Sequence, residues 1–368
     1  MAFPATTVVI VLQFLICLVL YIVIYRLLFH PLASVPGPWL AALTSLYHFY
    51  YSVIRRGDVV NHLKFLHKKY GTAVHFSSTD AYFDIYHSRD THKDPDFYDA
   101  FFVPGGTFAT LDQAEARKHR KPILQMFSRK ETLNKEEILI TQAERLCKLL
   151  HASASQEKLI DIYMALRCFT MDFTTQYVFG FTFDSLGSAG FQCLTLKALD
   201  VFLAGFWLQG HWSLLRSLTN YFSPWSLQIL YPQCRVLFDR VEALQGCLDK
   251  ILADDPSKGG QGNPIPLFTA LTTVERDRRV PSLNYLAVMS DTFTMIFAAA
   301  YAVGTTLTVA TYYTMHDKQL LAKLQEELAD SWPDHTQECP SWSVLEKLPY
   351  FTAVIKETLR ITGGVVSP

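Results

Sequence analysis

No charged side chain occurs before Arg26, and Thr7 to Tyr25 is almost continuously apolar. Extended to Leu28, this run is long enough to cross a bilayer as a helix. A cleaved signal peptide normally has a basic start and a shorter apolar core, and neither is present. The first cations, Arg26 and then His30, lie only on the C-terminal flank. That arrangement keeps the bulk of the protein on the cytosolic side. Residues 7–28 are therefore expected to form a single-pass anchor in contact with membrane lipid. The chain also lacks surplus charge. Its formal net charge is -1, so it has no broad basic face and no nucleic-acid partner is expected. Seven cysteines are scattered, at 17, 147, 168, 193, 234, 247 and 339, with no C-x-x-C spacing. That excludes a zinc site and a disulfide framework, and it fits free thiols in a reducing compartment. No linker rich in Pro, Gly or Ser clearly divides the 368 residues.

What is present falls into an ordered series. Pro31-Leu-Ala-Ser-Val-Pro-Gly-Pro-Trp39 forbids helix continuation, so residues 29–40 form a stiff extended joint and 41–368 the globular domain. Val59 to Tyr70 reads as a short amphipathic helix, and Thr72 to Phe76 as the start of a strand. Pro104 to Leu111 is a turn leading into a helix that carries Arg117-Lys-His-Arg-Lys121, then Pro122. Such a cationic run ordinarily marks a solvated face. Lys135 to Leu150 is expected to be helical, with Asn134 as its N-cap and Glu137 three residues on. Leu159 to Gly180 is a second long helix, with Ile162, Leu166, Phe169, Phe173 and Tyr177 as its core face. Val201 to Trp225 is aromatic-rich without strong helical phase. Tyr231 to Ala253 is helical, and Asp254 to Pro266 is a Pro/Gly loop.

The C-terminal region is the most informative. A long, nearly uncharged segment runs from Leu283 to Thr314, followed by a patterned helix, His316 to Leu328. After a Pro-bearing loop come Trp342 to Leu348 and then Leu348 to Arg360, where Leu348, Phe351, Ile355 and Leu359 recur as the buried face of an amphipathic helix. Glu357 and Arg360 stand at i and i+3, close enough for a carboxylate–guanidinium pair. Taken alone, an E-x-x-R is equally a surface ion pair.

This order of segments resembles the cytochrome P450 family of haem-thiolate monooxygenases, in its fungal microsomal branch, over nearly the whole chain. The resemblance implies a mainly α fold with a small β component, heme b as cofactor, NADPH-cytochrome reductase as electron donor and a lipophilic small molecule as substrate. It places the protein on the endoplasmic reticulum, hydroxylating or epoxidising a compound of secondary metabolism. It implies that the long segment is the helix over the haem and that Glu357 and Arg360 are structural. It also implies that Arg120, with His119 beside it, meets a haem propionate, for which a guanidinium is suited by its two-pronged donors. The short stretch before Ile85-Tyr-His-Ser-Arg-Asp-Thr-His-Lys-Asp94 suggests that part of the usual sheet is missing.

Two departures from the family pattern follow. Alignment of Thr306-Leu-Thr308 with the family's T-L-T puts Tyr301 at the acid position and Ala302 at the alcohol position of the proton relay. Tyrosine is a poor relay at neutral pH and alanine is none. Thr305 and Thr306, a turn further on, are possible substitutes unless their hydroxyls bond back to the helix. In addition, the family's axial cysteine sits in an F-x-x-G-x-x-x-C-x-G loop beyond the E-x-x-R helix, and the 368 residues contain no such loop. Cys339 precedes that helix, without those surroundings. The expectation is a P450 fold incomplete at the C-terminus, inactive as it stands, with no metal ligand of its own. A non-catalytic membrane-bound interaction protein, or a fragment of an intact monooxygenase, remains open as an alternative.

Overall fold

The structure is a computed structural model. It describes residues 5–55, 57–71, 78–87, 91–101, 103–211, 232, 235–253, 285–334 and 337–363. The chain divides into two compact units. The first comprises residues 1–91, 207–216 and 366–368, and the second residues 92–206 and 217–365.

In the first unit, α1 (Ala5–Ile24) carries on through a π turn, Tyr25–Phe29. Its apolar side chains, from Val9 to Leu28, are exposed with no protein over them. It is a candidate membrane anchor. The chain then leaves helical geometry at His30, and Arg26 donates to the carbonyl of Leu43 at 2.5 Å. The joint is shorter than its expected 29–40, because a one-turn helix begins at Trp39 (Trp39–Leu43). A second helix, α2 (Val59–Tyr70), has the expected bounds. The strand expected from Thr72 to Phe76 lies outside the described residues, and no strand occurs among them.

The second unit is built of helices around one core. Asp112 opens α3 (Gln113–Met126) by accepting from the Glu115 N–H at 2.7 Å. Next comes α4 (Glu136–Ser155). Asn134 does not cap it. A short helix, Arg129–Asn134, capped by Ser128, ends there, and Lys135 occupies the cap position of α4 without a side-chain bond. Residues 159–161 remain extended, so α5 (Ile162–Phe179) starts later than expected, at the Asp161 cap, and ends at left-handed Gly180.

Helix α5 is the most enclosed element. Its deepest residues are Ala165, Arg167, Cys168, Met171, Asp172, Thr175 and Val178, while Ile162, Phe169 and Phe173 of the expected stripe are only partly buried. A helix with neighbours on several sides buries polar positions that a one-faced reading assigns to solvent. Asp172, fully buried, illustrates the cost and its remedy. It accepts the N–H groups of Ser185 at 2.7 Å and Leu186 at 2.9 Å, and Arg145 lies 3.8 Å away. Those bonds pin the loop after α5. Burial still raises its pKa, because desolvation outweighs the donors.

Beyond that loop lie α6 (Leu194–His211), α7 (Arg235–Ala253) and α8 (Tyr285–Ala298). The last runs through a π turn (Ala299–Val303) into α9 (Gly304–His316). This 286–316 stretch is as long and apolar as a membrane span. Yet it packs on α5, and Ile296 and Ala300 belong to the core, so it is read as an internal helix. Asp317 breaks the chain after His316 and caps α10 (Lys318–Ser331), accepting from Gln319 and Leu320. Helix α11 (Pro349–Thr362) begins with proline at its first turn. Its free N–H groups at Tyr350 and Phe351 are taken by Glu327 of α10, at 2.8 and 2.7 Å. The buried face of α11 differs from the expected one. Ile355 and Leu359 are exposed, and Thr358 is the buried residue, because α9 and α10 pack against the neighbouring stripe.

Asp172→Ala should lower stability by about 3 kcal/mol, since it leaves the buried N–H groups of Ser185 and Leu186 without their acceptor. Denaturant unfolding followed by circular dichroism measures it; an unchanged midpoint would contradict this role.

Candidate active site

Helix α8 contains a single charge, Asp291, which is 5% exposed. It reaches the turn before α3. The Thr107 N–H donates to it at 2.7 Å and the Thr107 hydroxyl at 2.9 Å. Ser290 adds a bond to the carbonyl of Pro104 at 3.0 Å. Gly106 fits here for want of a side chain, since a Cβ would lie 2.9 Å from that of Ser290. From the other side, Lys93 donates to the carbonyls of Phe108 at 2.6 Å and Thr110 at 3.0 Å. Burial, then the nearby Arg120 charge, lowers the Lys93 pKa. Burial raises that of Asp291 against the opposing pull of Thr107 and of His119. The turn at 103–111 is thus clamped between a cation and an anion, and it sets the start of α3.

On α3, His119 is half-buried and Arg120 exposed. No ion pair to Arg120 occurs among the described residues. Arg117, Lys118 and Lys121 are also exposed. Pro122 sits inside the helix and is buried with Ile123 and Met126.

Tyr301 lies in the π turn between α8 and α9. Its hydroxyl donates to Asp200 of α6, and the Arg167 guanidinium stands 4.4 Å from its ring centre. Burial first, and then the Asp200 bond, pushes the phenol above the usual tyrosine range. It therefore stays a neutral donor. Ala302 is half-buried. Of the two possible substitutes, Thr305 and Thr306, the second bonds back to the Ala302 carbonyl at 2.9 Å. Thr305 is exposed.

On α11, Glu357 and Arg360 form a two-pronged pair, with Nε to Oε2 at 2.7 Å and Nη2 to Oε1 at 2.5 Å. Their side chains are 55% and 71% exposed. The pair lowers the Glu357 pKa and raises that of Arg360. Three of these groups come together in the same region of the second unit: Asp291, His119 and Arg120 around the clamped turn. Tyr301 is drawn instead to α5 and α6. Sequence reasoning missed Arg167, Asp200, Lys93 and the role of Asp291. The signal for Asp291 was present, since it is the lone charge between Leu283 and Thr314.

The cytochrome P450 family model matches residues 56–367, and the chain belongs to that family. It is 28% identical to the conidiogenone synthase PchP450 of Penicillium rubens, over 94% of this chain and 70% of that one. It is 30% identical to the cytochrome P450 monooxygenase sdnE of Sordaria araneosa, over 94% and 69%. The monooxygenase aflU of Aspergillus parasiticus is 27% identical, over 93% and 69%. A solved cytochrome P450, CYP102L1, shares the fold, with a TM-score of 0.55 at 15% identity, over 73% of this chain and 55% of that one. The chain thus spans about 70% of the length of these fungal relatives and 55% of the solved chain.

The family uses haem, and the described residues fit it only in part. An unpaired Arg120 suits a carboxylate. An axial sulfur is not found among the described cysteines. Cys17 and Cys147 are exposed on outer helices. Cys168 and Cys193 are buried, and the Cys168 thiol donates to the carbonyl of Phe191 at 3.5 Å. Cys339 is directed to the carbonyl of Pro340 at 3.6 Å, and burial with Glu136 and Glu144 nearby raises its pKa. No group of three or more His, Cys, Asp or Glu that could hold a metal occurs among the described residues.

Asp291→Ala should free the 103–111 turn and raise its cleavage rate in limited proteolysis about tenfold, with Asp291→Asn intermediate because it keeps one acceptor. Equal cleavage in all three proteins would contradict the clamp. Glu357→Gln should leave the unfolding midpoint unchanged, because an exposed pair contributes little.

Proposed function

We propose that this chain carries the distal part of the site of a membrane-anchored monooxygenase. It would hydroxylate or epoxidise a lipophilic small molecule of fungal secondary metabolism. The observation that carries this reading is the family match over 56–367, which includes both the helix bearing Tyr301 and the Glu357–Arg360 pair. The relatives' names support the substrate class. In this reading Arg120 holds a propionate of heme b, with His119 beside it. The clamp of Lys93 and Asp291 on the preceding turn supports that role, because it fixes where α3 begins.

When bound, a haem with a thiolate ligand supplies oxygen activation. The chain's own contribution is narrower. Arg120 would neutralise a carboxylate, and Thr305 is the hydroxyl of this segment for which no helix-carbonyl bond competes among the described residues. Tyr301 and Ala302 move no proton at neutral pH, because one is bound to Asp200 and the other has no titratable group. A reductase would deliver electrons, with the exposed Arg117, Lys118 and Lys121 offering positive charge to an acidic surface. The anchor at 7–28 would hold the enzyme at the endoplasmic reticulum with the globular part in the cytosol.

None of the described cysteines stands in surroundings suited to a haem thiolate, and on that ground we propose that the chain as given does not perform this chemistry. Haem reconstitution tests it: the reduced, CO-treated protein should give no thiolate-type Soret band. Appearance of that band would overturn the reading of inactivity. Arg120→Ala should weaken haem retention about tenfold, the loss of one charge-assisted bond, measured by transfer of haem to apomyoglobin. Unchanged retention would remove Arg120 from the site.

A further inference from the structure

Arg167 is 1% exposed, and its position within α5 gives it no route to water. It meets Asp200, two tyrosine rings and the Met164 sulfur, to which its Nη1 donates at 3.8 Å. Its Nη2 and Nη1 bond the two oxygens of Asp200, at 2.8 and 3.1 Å. Its guanidinium lies between two rings, 5.0 Å from Tyr163 and 4.4 Å from Tyr301. The same Asp200 carboxylate accepts the hydroxyl of Tyr301. One carboxylate on α6 therefore takes hydrogen bonds from α5 and from the π turn at once.

The backbone is shaped to allow this. At Gly304, the residue that follows the π turn, an added Cβ would stand 2.7 Å from the Arg167 Cγ and 3.3 Å from its Cα. Only glycine lets the distal helix approach α5 so closely. The π turn, Ala299–Val303, holds one extra residue per turn, which re-aims side chains on either side of it. Close approach, re-aimed tyrosine and shared carboxylate converge on one point.

We propose that Arg167, Asp200 and Tyr301 form a latch joining three helices, in which Tyr301 is a positioning residue that ties the π turn to α6. The charges balance within it: one guanidinium, one carboxylate and a neutral phenol. Tyr163 on α5 is the remaining titratable group that faces the guanidinium. Asp200 is partly open to solvent, at 44%, so α6 is the member able to part from the other two. The latch is tested on the haem-free chain, so its failure and that of the monooxygenase reading are separate results.

The test uses the full 368-residue protein in detergent, with Tyr301→Phe, Asp200→Asn and Asp200→Glu. Hydrogen exchange is followed in peptides covering 194–204 and 299–303, with 136–155 as the reference. Tyr301→Phe and Asp200→Asn should each speed exchange about tenfold in both peptides and leave the reference unchanged. Asp200→Glu should restore the wild-type rates. An alkaline titration of tyrosinate absorbance supplies a second readout that simple loss of packing does not mimic. Asp200→Asn should lower the titration of one phenol, and that phenol should vanish in the double variant with Tyr301→Phe. Wild-type exchange together with an unmoved titration overturns the latch. So does faster exchange spread equally over 136–155. Should Asp200→Asn fail to fold, Tyr301→Phe alone decides, by whether its two peptides exchange faster than the reference.

Discussion

A guanidinium taken out of water costs several kcal/mol unless its donors are met, and the centre of this protein is arranged around that constraint. Arg167 has an ion pair on one side and aromatic faces on two others, which is how a buried cation is made tolerable. Its Nε finds no protein partner in the structure, so the compensation is incomplete. That residual cost sharpens the selection for the right neighbours. Swapping Asp200 for an apolar residue leaves the buried charge without its counter-ion.

The same logic recurs with the sign reversed. Asp172 and Asp291 are buried carboxylates, the first met by N–H donors of the loop that follows its own helix and the second by N–H and O–H donors of a turn distant in the chain. Asp172 fixes the connection from α5 toward α6, and Asp291 fixes the turn that launches α3. Three isolated charges on two apolar helices thereby specify where the irregular segments dock. Apolar packing alone is tolerant of sliding, whereas a carboxylate with two donors accepts one geometry.

Much of this architecture was legible from residue patterns. Helix bounds at Val59–Tyr70 follow from amphipathic spacing, and Gly180 announced the end of α5. The pairing of Glu357 with Arg360 follows from helical geometry alone. What periodicity could not supply was direction where a helix has neighbours on several sides. For α5 it chose the aromatic stripe, while the deeper positions include Arg167, Cys168 and Asp172. For α11 it chose Ile355 and Leu359, which face outward, because an apolar stripe says that something should cover it and not what does. The Asn134 cap failed because Ser128 starts a short helix first. The partnership of Tyr301 with Asp200 spans 101 residues of sequence and three helices, beyond the reach of any local rule.

The outward-facing stripe of α11 bears on how the molecule behaves outside a cell. Ile355 and Leu359 are 43% and 55% exposed on successive turns of one helix. A ridge of that kind gives the globular part its own affinity for oily surfaces, separate from α1. Removing the first helix to obtain a freely dissolved preparation would leave the ridge in place, and particles of the shortened protein would still adhere to one another and to vessel walls.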